Sequence, residues 1–454
     1  MVDTVVGMCY HARELSFGEE HEVVQYSLRR GVRWVPLIVV LGILGVWYFK
    51  TMAPGMSSLQ VGGWTDAAAM QVVGSYWGIA HSPGYPLYTV LSNIFSRIAG
   101  MLGSVPEPAW RVGFFSLASG LIALGLFYSI LLKLKVHPVL ASATALLLDA
   151  GATFWFYAVT AEVYMLNLLL ILLSLRLALA WKDATRERGY LIALGVVLGA
   201  LAVHHRTGLL VAPVLLAWML ISRRDGWRAW LGRAGWLIAG GVPVLLLYLY
   251  LPLTATLNRE WTRIYGDASD PGTFWFIVLS REWWGLVKMP SSLSEVWDRL
   301  AWLASQQSAE LLGPVLAGLG VAGLLATARH SLLIGGVAAV FAVFGIFYGV
   351  DDLNSMLIPL TAMLAIGVAL LAQKAIDLFT GRVLKGRWTE HLLAVGAAAL
   401  LVFLGLPSAA ATAERVDQSA DTVGVDMVEA LRILAEDGTP LSVIAEGNTP
   451  LAIV

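Results

Sequence analysis

A succession of apolar segments long enough to cross a bilayer constrains this chain more than any other feature. The first, WVPLIVVLGILGVWYF, runs from Trp34 to Phe49, and similar segments recur as far as residue 407. A transmembrane helix needs about 17–25 mostly apolar residues, so we expect these segments to span a membrane. Composition agrees, because 58% of the 454 residues are hydrophobic and only 13% are charged, too little polar surface for a soluble globule. The sequence predicts an all-α polytopic membrane protein.

The apolar segments predict about eleven transmembrane helices. After the first, they fall at 110–132, 138–158, 162–181, 190–203, 207–222, 234–252, 311–328, 331–349, 353–373 and 391–407. We therefore expect a cytoplasmic segment at 1–33, a transmembrane domain at 34–407 and an outer tail at 408–454. The tail has the pattern of a helix followed by a strand, which is typical of a short α/β segment.

Basic residues in alternate loops predict the orientation. Arg29, Arg30 and Arg33 precede the first span, and basic residues favour the cytoplasmic side. The later clusters of basic residues fall on that same side only if residues 85–103, YPLYTVLSNIFSRIAGMLG, do not cross the membrane. We expect this segment to lie along the outer face as an amphipathic helix. Large outer loops are then expected at 50–109 and 253–310. The predicted location is a bacterial plasma membrane, or the endoplasmic reticulum membrane of a eukaryote, with the active face outside.

Other features narrow the class further. About thirty mostly polar residues precede the first apolar segment, which is not the pattern of a cleavable signal peptide. The formal net charge of −1 argues against a nucleic-acid partner. Cys9 is the only cysteine, so no intrachain disulfide is expected.

Unusual polar residues concentrate at the predicted outer face. The span before His204 covers only 190–203, so the sequence VHHRTG is expected at or below the membrane boundary, where a charge is costly and usually functional. We therefore predict one site on this face. Its candidate residues are Asp66, His81, Glu162, His204, His205, Arg206, Asp267, Arg281, Asp351 and Asp352.

Five stretches, taken in order, resemble a known family. They are TDAAAMQVVGSYWGIAHSPGYPLYTVL, FWFYAVTAEVYMLNLLL, LAVHHRTGLLVAP, YLYLPL and YGDASDPGTFWFIVLSREW. They are similar to a bacterial membrane family first catalogued as a domain of unknown function and now grouped with protein O-mannosyltransferase-like enzymes of the GT-C glycosyltransferase superfamily. The resemblance covers residues 34–300 well and the later spans weakly, and its most specific part is the aspartate followed by GIAHSPGYPLY.

Two departures from the family pattern affect what carries over. Family members commonly have Asp-Ser-Gly-Glu where this chain has Asp66 followed by Ala67 and Ala68, which removes a second carboxylate. Many members continue into a long soluble region, whereas this sequence stops at Val454, so recognition of the acceptor is expected to differ.

The resemblance implies a transfer reaction. GT-C enzymes take a sugar from a polyprenyl-phosphate donor in the bilayer and pass it, with inversion, to an acceptor on the outer face. Here the sugar would be mannose and the acceptor a protein Ser/Thr hydroxyl or a glycan. Asp66 is the expected general base, with Glu162 as a second acid. Arg206, His204 and His205 are expected at the donor phosphate. His81, Tyr85, Asp267 and Arg281 are candidates for the rest of the substrate site.

Each of these residues also has a structural explanation. Asp66 could cap the helix that begins at Ala67, and Glu162 could cap the following span. His81 could complete a turn, with Tyr85 and its flanking prolines fixing that turn. The His204, His205 and Arg206 cluster could anchor the chain at the interface, and Asp351 with Asp352 could form a solvated loop.

Other functional classes stay open from the sequence alone. One is a non-catalytic membrane subunit of a larger assembly, and another is a lipid or sugar transporter. A transporter is disfavoured because the sequence has neither pseudo-symmetric halves nor broken helices near the midplane. No cofactor is expected beyond the lipid-linked donor, no ligand spacing indicates a metal, and a divalent metal and the oligomeric state stay open.

The predicted topology can be tested by cysteine labelling. In a chain lacking Cys9, we expect cysteines placed at Ser104 and Lys135 to react with a membrane-impermeant reagent from opposite sides, because one span separates them. Reaction of both from the same side would contradict the eleven-span topology.

Overall fold

The chain is a bundle of helices in a computed structural model that describes residues 33–57, 66–103, 107–259, 266–382 and 387–436. Within these residues the only β-pairing is an isolated antiparallel bridge between Val287 and Tyr348. The strand predicted in the tail, and the N-terminal segment with Cys9, lie outside the described residues.

The helices before the large outer loop are numbered in chain order. They are α1 (Val35–Thr51), α2 (Ala67–Tyr76), α3 (Pro86–Met101), α4 (Pro108–Lys133), α5 (Pro138–Asp149), α6 (Ala152–Val159), α7 (Tyr164–Lys182), α8 (Arg188–His204), α9 (Val211–Ser222), α10 (Trp227–Leu245) and α11 (Tyr250–Leu257). Short 3₁₀ turns at Arg206–Leu210 and Leu246–Leu249 join α8 to α9 and α10 to α11.

The remaining helices complete the bundle and carry the outer loop. They are α12 (Pro271–Val278), α13 (Leu293–Glu310), α14 (Pro314–Ala326), α15 (Ala328–Phe347), α16 (Leu353–Met356), α17 (Ile358–Arg382), α18 (Arg387–Val416) and α19 (Val423–Glu436). A 3₁₀ turn at Arg281–Leu286 follows α12. Helix α18 continues past residue 407, where the sequence predicted the last span to end, even though Pro407 lies inside it.

By length and apolarity, five helices could each cross a membrane, and seven segments could if each of two bent helix pairs is one span. Four further apolar helices are shorter, at Val35–Thr51, Arg188–His204, Arg206–Ser222 and Leu332–Phe347. Helix α3 is in neither group, although the sequence correctly predicts an amphipathic helix there. The chain is therefore an integral membrane protein, while the count of eleven spans and the orientation stay predictions.

Burial separates central from peripheral helices. The most apolar window of α7 is 72% buried inside the protein, whereas the corresponding window of Trp227–Leu257 is only 17% buried. In a bilayer the apolar surface of a peripheral helix faces lipid, so low burial there does not expose it to water. Helices α7, α17 and α4, whose apolar windows are 72%, 61% and 56% buried, are thus the most central of these five candidate spans.

The segment predicted as one span at 138–158 is broken. Helices α5 and α6 meet at an angle of 77°, directly after Asp149. Asp149 is buried and accepts a hydrogen bond from the Tyr48 hydroxyl of α1. The backbone at the bend has its own partners, because the Thr153 N–H donates to Glu310 Oε2 at 3.1 Å and the Ala150 carbonyl accepts from the Thr412 hydroxyl at 3.2 Å.

Candidate active site

A cavity of about 390 Å³ opens where the ends of α2, α7, α8 and α15 meet the loop that follows α12. Its lining includes five of the residues predicted from sequence, Asp66, His81, Tyr85, His205 and Arg206. Asp352 lines it as well, together with Tyr164, Ser280, Trp283 and Tyr348. A concave, mostly apolar space with a few convergent polar groups is typical of a small-molecule site.

Asp66 occupies the N-cap position of α2, but its side chain makes no capping hydrogen bond. Its Oδ2 instead lies 3.4 Å from His81 Nε2, and its side chain is 57% exposed. The helix begins at Ala67, as the sequence predicts, yet the carboxylate is free of the backbone that a cap would satisfy. Its geometry thus favours the chemical role over the capping role.

Glu162 lies beneath Asp66 and holds its backbone. Its Oε1 accepts the Asp66 N–H at 2.8 Å, and its Oε2 accepts the Val163 N–H at 3.3 Å. The residue is itself fixed by Ser116, whose hydroxyl donates to the Glu162 carbonyl at 3.2 Å and accepts its N–H at 3.1 Å. Burial, with the neighbouring charges of Asp66 and Asp352 adding to it, raises the pKa of Glu162 well above its ordinary value. Glu162 is not part of the cavity lining, so it positions Asp66 from behind.

The turn between α2 and α3 presents His81 and Tyr85 to the cavity. Pro86 occupies the first turn of α3, where proline needs no hydrogen-bond partner, and Tyr85 precedes it with a left-handed backbone. The Tyr85 ring lies 5.1 Å from the His81 ring and stacks on His205 at 5.8 Å. Burial raises the pKa of the Tyr85 hydroxyl. Tyr85 therefore links the Asp66 side of the cavity to its His205 side.

The outer loop holds this turn in place. The Trp283 indole donates to the Ser82 carbonyl at 3.0 Å, and the Ser82 hydroxyl donates to Glu282 at 2.7 Å. The Tyr250 hydroxyl donates to the Gly78 carbonyl at 2.9 Å, just before His81. Residues far apart in sequence thus fix the Gly-Ile-Ala-His-Ser-Pro segment from both sides.

His205 is a neutral hydrogen-bond donor. Its Nδ1 accepts the Thr207 N–H at 3.3 Å and lies 2.7 Å from the Thr207 hydroxyl, so the ring proton sits on Nε2. The Thr207 oxygen in turn accepts from Asn167 at 3.2 Å. Burial, together with the nearby His204, His81 and Arg206, lowers the pKa of His205 to about 3. An imidazole that stays neutral can donate from Nε2 without adding a second positive charge.

Arg206 carries the strongest sign of a missing ligand. It lines the cavity, and its Nε and Nη2 are buried with no hydrogen-bond partner among the described residues. A buried guanidinium nitrogen without a partner is unfavourable, because it has lost its water and gained nothing in return. An oxyanion in the cavity would supply the missing acceptors.

Besides Glu162 and Asp351, three of the predicted site residues do not line the cavity. His204 is fully buried and its Nε2 lies 3.0 Å from the Val163 carbonyl, so it holds the Glu162 loop and does not line the cavity. Asp267 is exposed and closes a local turn by accepting from the Ser269 N–H at 2.9 Å. Arg281 is exposed, with its guanidinium 5.9 Å from the Trp284 ring. The sequence places all three residues only by their predicted side of the membrane. That side does not determine how far apart their side chains lie.

Asp352, a candidate site residue whose structural alternative is a solvated loop, lines the cavity. Its carboxylate accepts from the Tyr164 hydroxyl, and the Tyr164 ring lies 5.6 Å from His205. Burial raises its pKa. Its neighbour Asp351 is exposed and does not line the cavity. The sequence does not distinguish these two adjacent aspartates. In the structure, the turn before α16 places Asp352 in the cavity lining and leaves Asp351 exposed.

No three His, Cys, Asp or Glu side chains come close enough to hold a metal ion in the part of the chain that the structure describes.

The burial of Glu162 predicts a pH-dependent stability. Because burial raises the pKa of Glu162, this residue stabilises the folded protein fully below about pH 4.5, the ordinary pKa of a glutamate. That stabilisation is lost as the pH rises through the pKa that Glu162 has in the folded protein. The thermal midpoint of the detergent-purified protein should therefore fall as the pH rises. We expect a smaller fall in Glu162→Gln, because glutamine does not titrate. Glu162→Ala, which removes both acceptors, should destabilise by about 1–3 kcal/mol.

The matched control is Glu414→Gln, a change at an exposed glutamate of α18. A pH slope in Glu162→Gln equal to that of the unaltered protein would contradict a raised pKa of Glu162.

Comparison with known proteins agrees with this architecture. Residues 66–228 match the family described as "Protein O-mannosyl-transferase TMEM260 N-terminal domain". A relative named protein O-mannosyl-transferase tmem260, from Dictyostelium discoideum, is 30% identical over 234 residues, which is 47% of this chain and 26% of that protein. The chain thus matches only about a quarter of that relative's length.

Two solved structures share the fold at low sequence identity. ArnT from Cupriavidus metallidurans, bound to undecaprenyl phosphate, superposes with a TM-score of 0.51 at 17% identity, covering 88% of this chain and 79% of that one. The oligosaccharyltransferase AglB from Archaeoglobus fulgidus, in complex with an inhibitory peptide and a dolichol-phosphate, gives 0.51 at 14% identity, covering 91% and 60%. At this identity the likeness concerns the fold alone.

Proposed function

From a chain that is protein O-mannosyltransferase-like and has the GT-C fold, we propose a membrane glycosyltransferase that uses a polyprenyl-phosphate sugar. The observation that carries the proposal is the pair of buried, unpartnered nitrogens of Arg206 in the same cavity as Asp66. A leaving phosphate needs a cation to stabilise its charge, and Arg206 has nitrogens that lack an acceptor. An attacking hydroxyl needs a group that takes its proton, and the Asp66 carboxylate has no capping role.

The donor phosphate binds at Arg206 in this account. A guanidinium presents two parallel N–H groups to phosphate oxygens, and a water-poor cavity strengthens that contact. His205 adds a neutral N–H from Nε2. The ArnT and AglB structures hold undecaprenyl phosphate and a dolichol-phosphate respectively, which supports a lipid phosphate as the ligand.

Asp66 then acts as the general base. The acceptor hydroxyl gives its proton to the Asp66 carboxylate as its oxygen bonds to the anomeric carbon of the sugar. The bond from that carbon to the phosphate oxygen breaks, and the electron pair leaves with the polyprenyl phosphate, whose charge Arg206 stabilises. Attack opposite the leaving phosphate inverts the anomeric centre, through an oxocarbenium-like transition state.

The neighbours of Asp66 orient it for this role. Glu162 fixes the Asp66 backbone at 2.8 Å, and His81 lies 3.4 Å from Oδ2. The 57% exposed side chain leaves Asp66 open to an acceptor arriving from outside the cavity. The relative from Dictyostelium discoideum is named a protein O-mannosyl-transferase, which supports mannose as the sugar and a protein Ser/Thr hydroxyl as the acceptor.

Replacing Asp66 tests the assignment of the base. Asp66→Asn keeps the size of the side chain but cannot take a proton, so we expect the rate of sugar transfer to fall about 10²–10⁴-fold. Binding of the donor should be unchanged. The measurement is turnover of purified protein with undecaprenyl-phosphate mannose and a Ser/Thr acceptor peptide, at saturating donor.

The control is Asp351→Asn, which removes an exposed carboxylate outside the cavity. If Asp66→Asn turns over at the unaltered rate, Asp66 is not the base.

A further inference from the structure

Several polar groups of the cavity take no part in the proposed proton transfer or phosphate binding. Among them are Asp352, at the turn before α16, and Ser280, between α12 and the 3₁₀ turn that follows it. Both line the same space as Asp66 and Arg206. A sugar bound between a base and a phosphate site has further hydroxyl groups that need partners, so these two side chains can be examined as those partners.

Ser280 is held with its hydroxyl unsatisfied. It is 92% buried, and its Oγ has no hydrogen-bond partner within the described residues. Its backbone has a φ of 52°, a left-handed conformation uncommon for a residue other than glycine. The fold fixes this conformation, since the Ser280 N–H donates to the Ile277 carbonyl at 2.9 Å and its carbonyl accepts from Trp283 at 3.1 Å. Strain and an unsatisfied buried hydroxyl at one residue indicate a ligand contact.

Asp352 has capacity left for a ligand. The Tyr164 hydroxyl and the Ser355 hydroxyl, the latter at 3.4 Å, both donate to its Oδ2. A carboxylate offers about four acceptor positions on its two oxygens, so Oδ1 can accept from a molecule in the cavity. The contact with Tyr164 fixes the direction in which Asp352 points, as a specificity group requires.

Aromatic rings complete this part of the cavity. Trp283, Phe344 and Tyr348 line it beside Asp352 and Ser280. The flat apolar face of a pyranose ring packs well against such rings, while its hydroxyl edge needs fixed polar partners. The cavity lining therefore offers both an aromatic surface for the face of a sugar ring and polar partners for its hydroxyl groups.

We propose that Asp352 and Ser280 form the sugar subsite of the donor, where they bind ring hydroxyl groups of an uncharged hexose and set which sugar is transferred. This inference rests on the proposed function. Charge supports the uncharged class, because the phosphate is balanced by Arg206 while Asp66 and Asp352 add two carboxylates to the cavity. The carboxylate of a hexuronic acid would be placed among them without a further cation.

The test compares lipids with and without a sugar. The full chain, purified in detergent, is titrated with undecaprenyl phosphate and with undecaprenyl-phosphate mannose, glucose and a hexuronic acid, and binding is followed by native mass spectrometry. We expect at least one hexose to raise the affinity about tenfold or more over the bare lipid phosphate, and the hexuronic acid to give no such gain.

The variants assign that gain to its residues. Asp352→Asn, which keeps an oxygen for Tyr164, should remove most of the tenfold gain, and Ser280→Ala should reduce it several-fold. Both should bind bare undecaprenyl phosphate like the unaltered protein, which also shows that they are folded. Asp351→Asn, the exposed neighbour, removes the same charge one residue away and should retain the whole gain.

The outcomes separate this inference from the proposed function. If the unaltered protein binds bare undecaprenyl phosphate but gains nothing from any hexose, or if Asp352→Asn and Ser280→Ala keep the gain, the sugar subsite is wrong and the lipid phosphate site stands. A gain from the hexuronic acid equal to that from a hexose would overturn the uncharged class. If the unaltered protein binds none of the lipids, the proposed function itself fails.

Discussion

Two nitrogens of the Arg206 guanidinium group, Nε and Nη2, set the constraint on which the rest of the site depends. Both are buried and have no hydrogen-bond partner among the described residues. A buried donor without an acceptor is unfavourable, and the contact of Arg206 with the Tyr248 side chain leaves these two nitrogens unsatisfied. His205, the next residue, is kept neutral by burial, so it does not compete for an anion but can share in binding one. The cavity is therefore incomplete without an oxyanion.

The carboxylates around this cation have different environments and so different uses. Glu162 is 4% exposed and holds backbone groups, whereas Asp66 has a side chain that is 57% exposed. Burial raises the pKa of Glu162, and both of its carboxyl oxygens accept backbone N–H groups, so it serves to position the Asp66 backbone. Asp66 can then be the group that accepts a proton, and Asp352, tied to Tyr164, is left for the substrate.

Much of this arrangement could be predicted from the sequence because its signals are local. Membrane-length apolar segments predict the helices, and the helix that begins at Ala67 follows from Asp66 before three alanines. The predicted segment 190–203 lies within α8, which ends at His204, and His205 and Arg206 directly after it line the cavity.

The remaining features depend on contacts between distant residues, which one sequence does not reveal. The break between α5 and α6 has no proline at the bend, and its backbone is held at Thr153 by Glu310, 157 residues away. Asp267 and Asp352 are both aspartates in loops that the sequence predicts on the outer side, and only packing makes one exposed and the other part of the cavity. Ser280 carries no sequence signal, because its importance lies in its left-handed backbone and its burial.

The most direct measurement is the affinity of the purified protein for undecaprenyl phosphate itself. We expect Arg206→Gln to weaken binding about 10–100-fold, since hydrogen bonds to a charged group contribute about 1.5–3 kcal/mol and each 1.4 kcal/mol is tenfold. Arg224→Gln, at an exposed arginine outside the cavity, should bind like the unaltered protein. Equal affinity of all three proteins would contradict the account, because the unpaired nitrogens of Arg206 would then have no part in holding the phosphate.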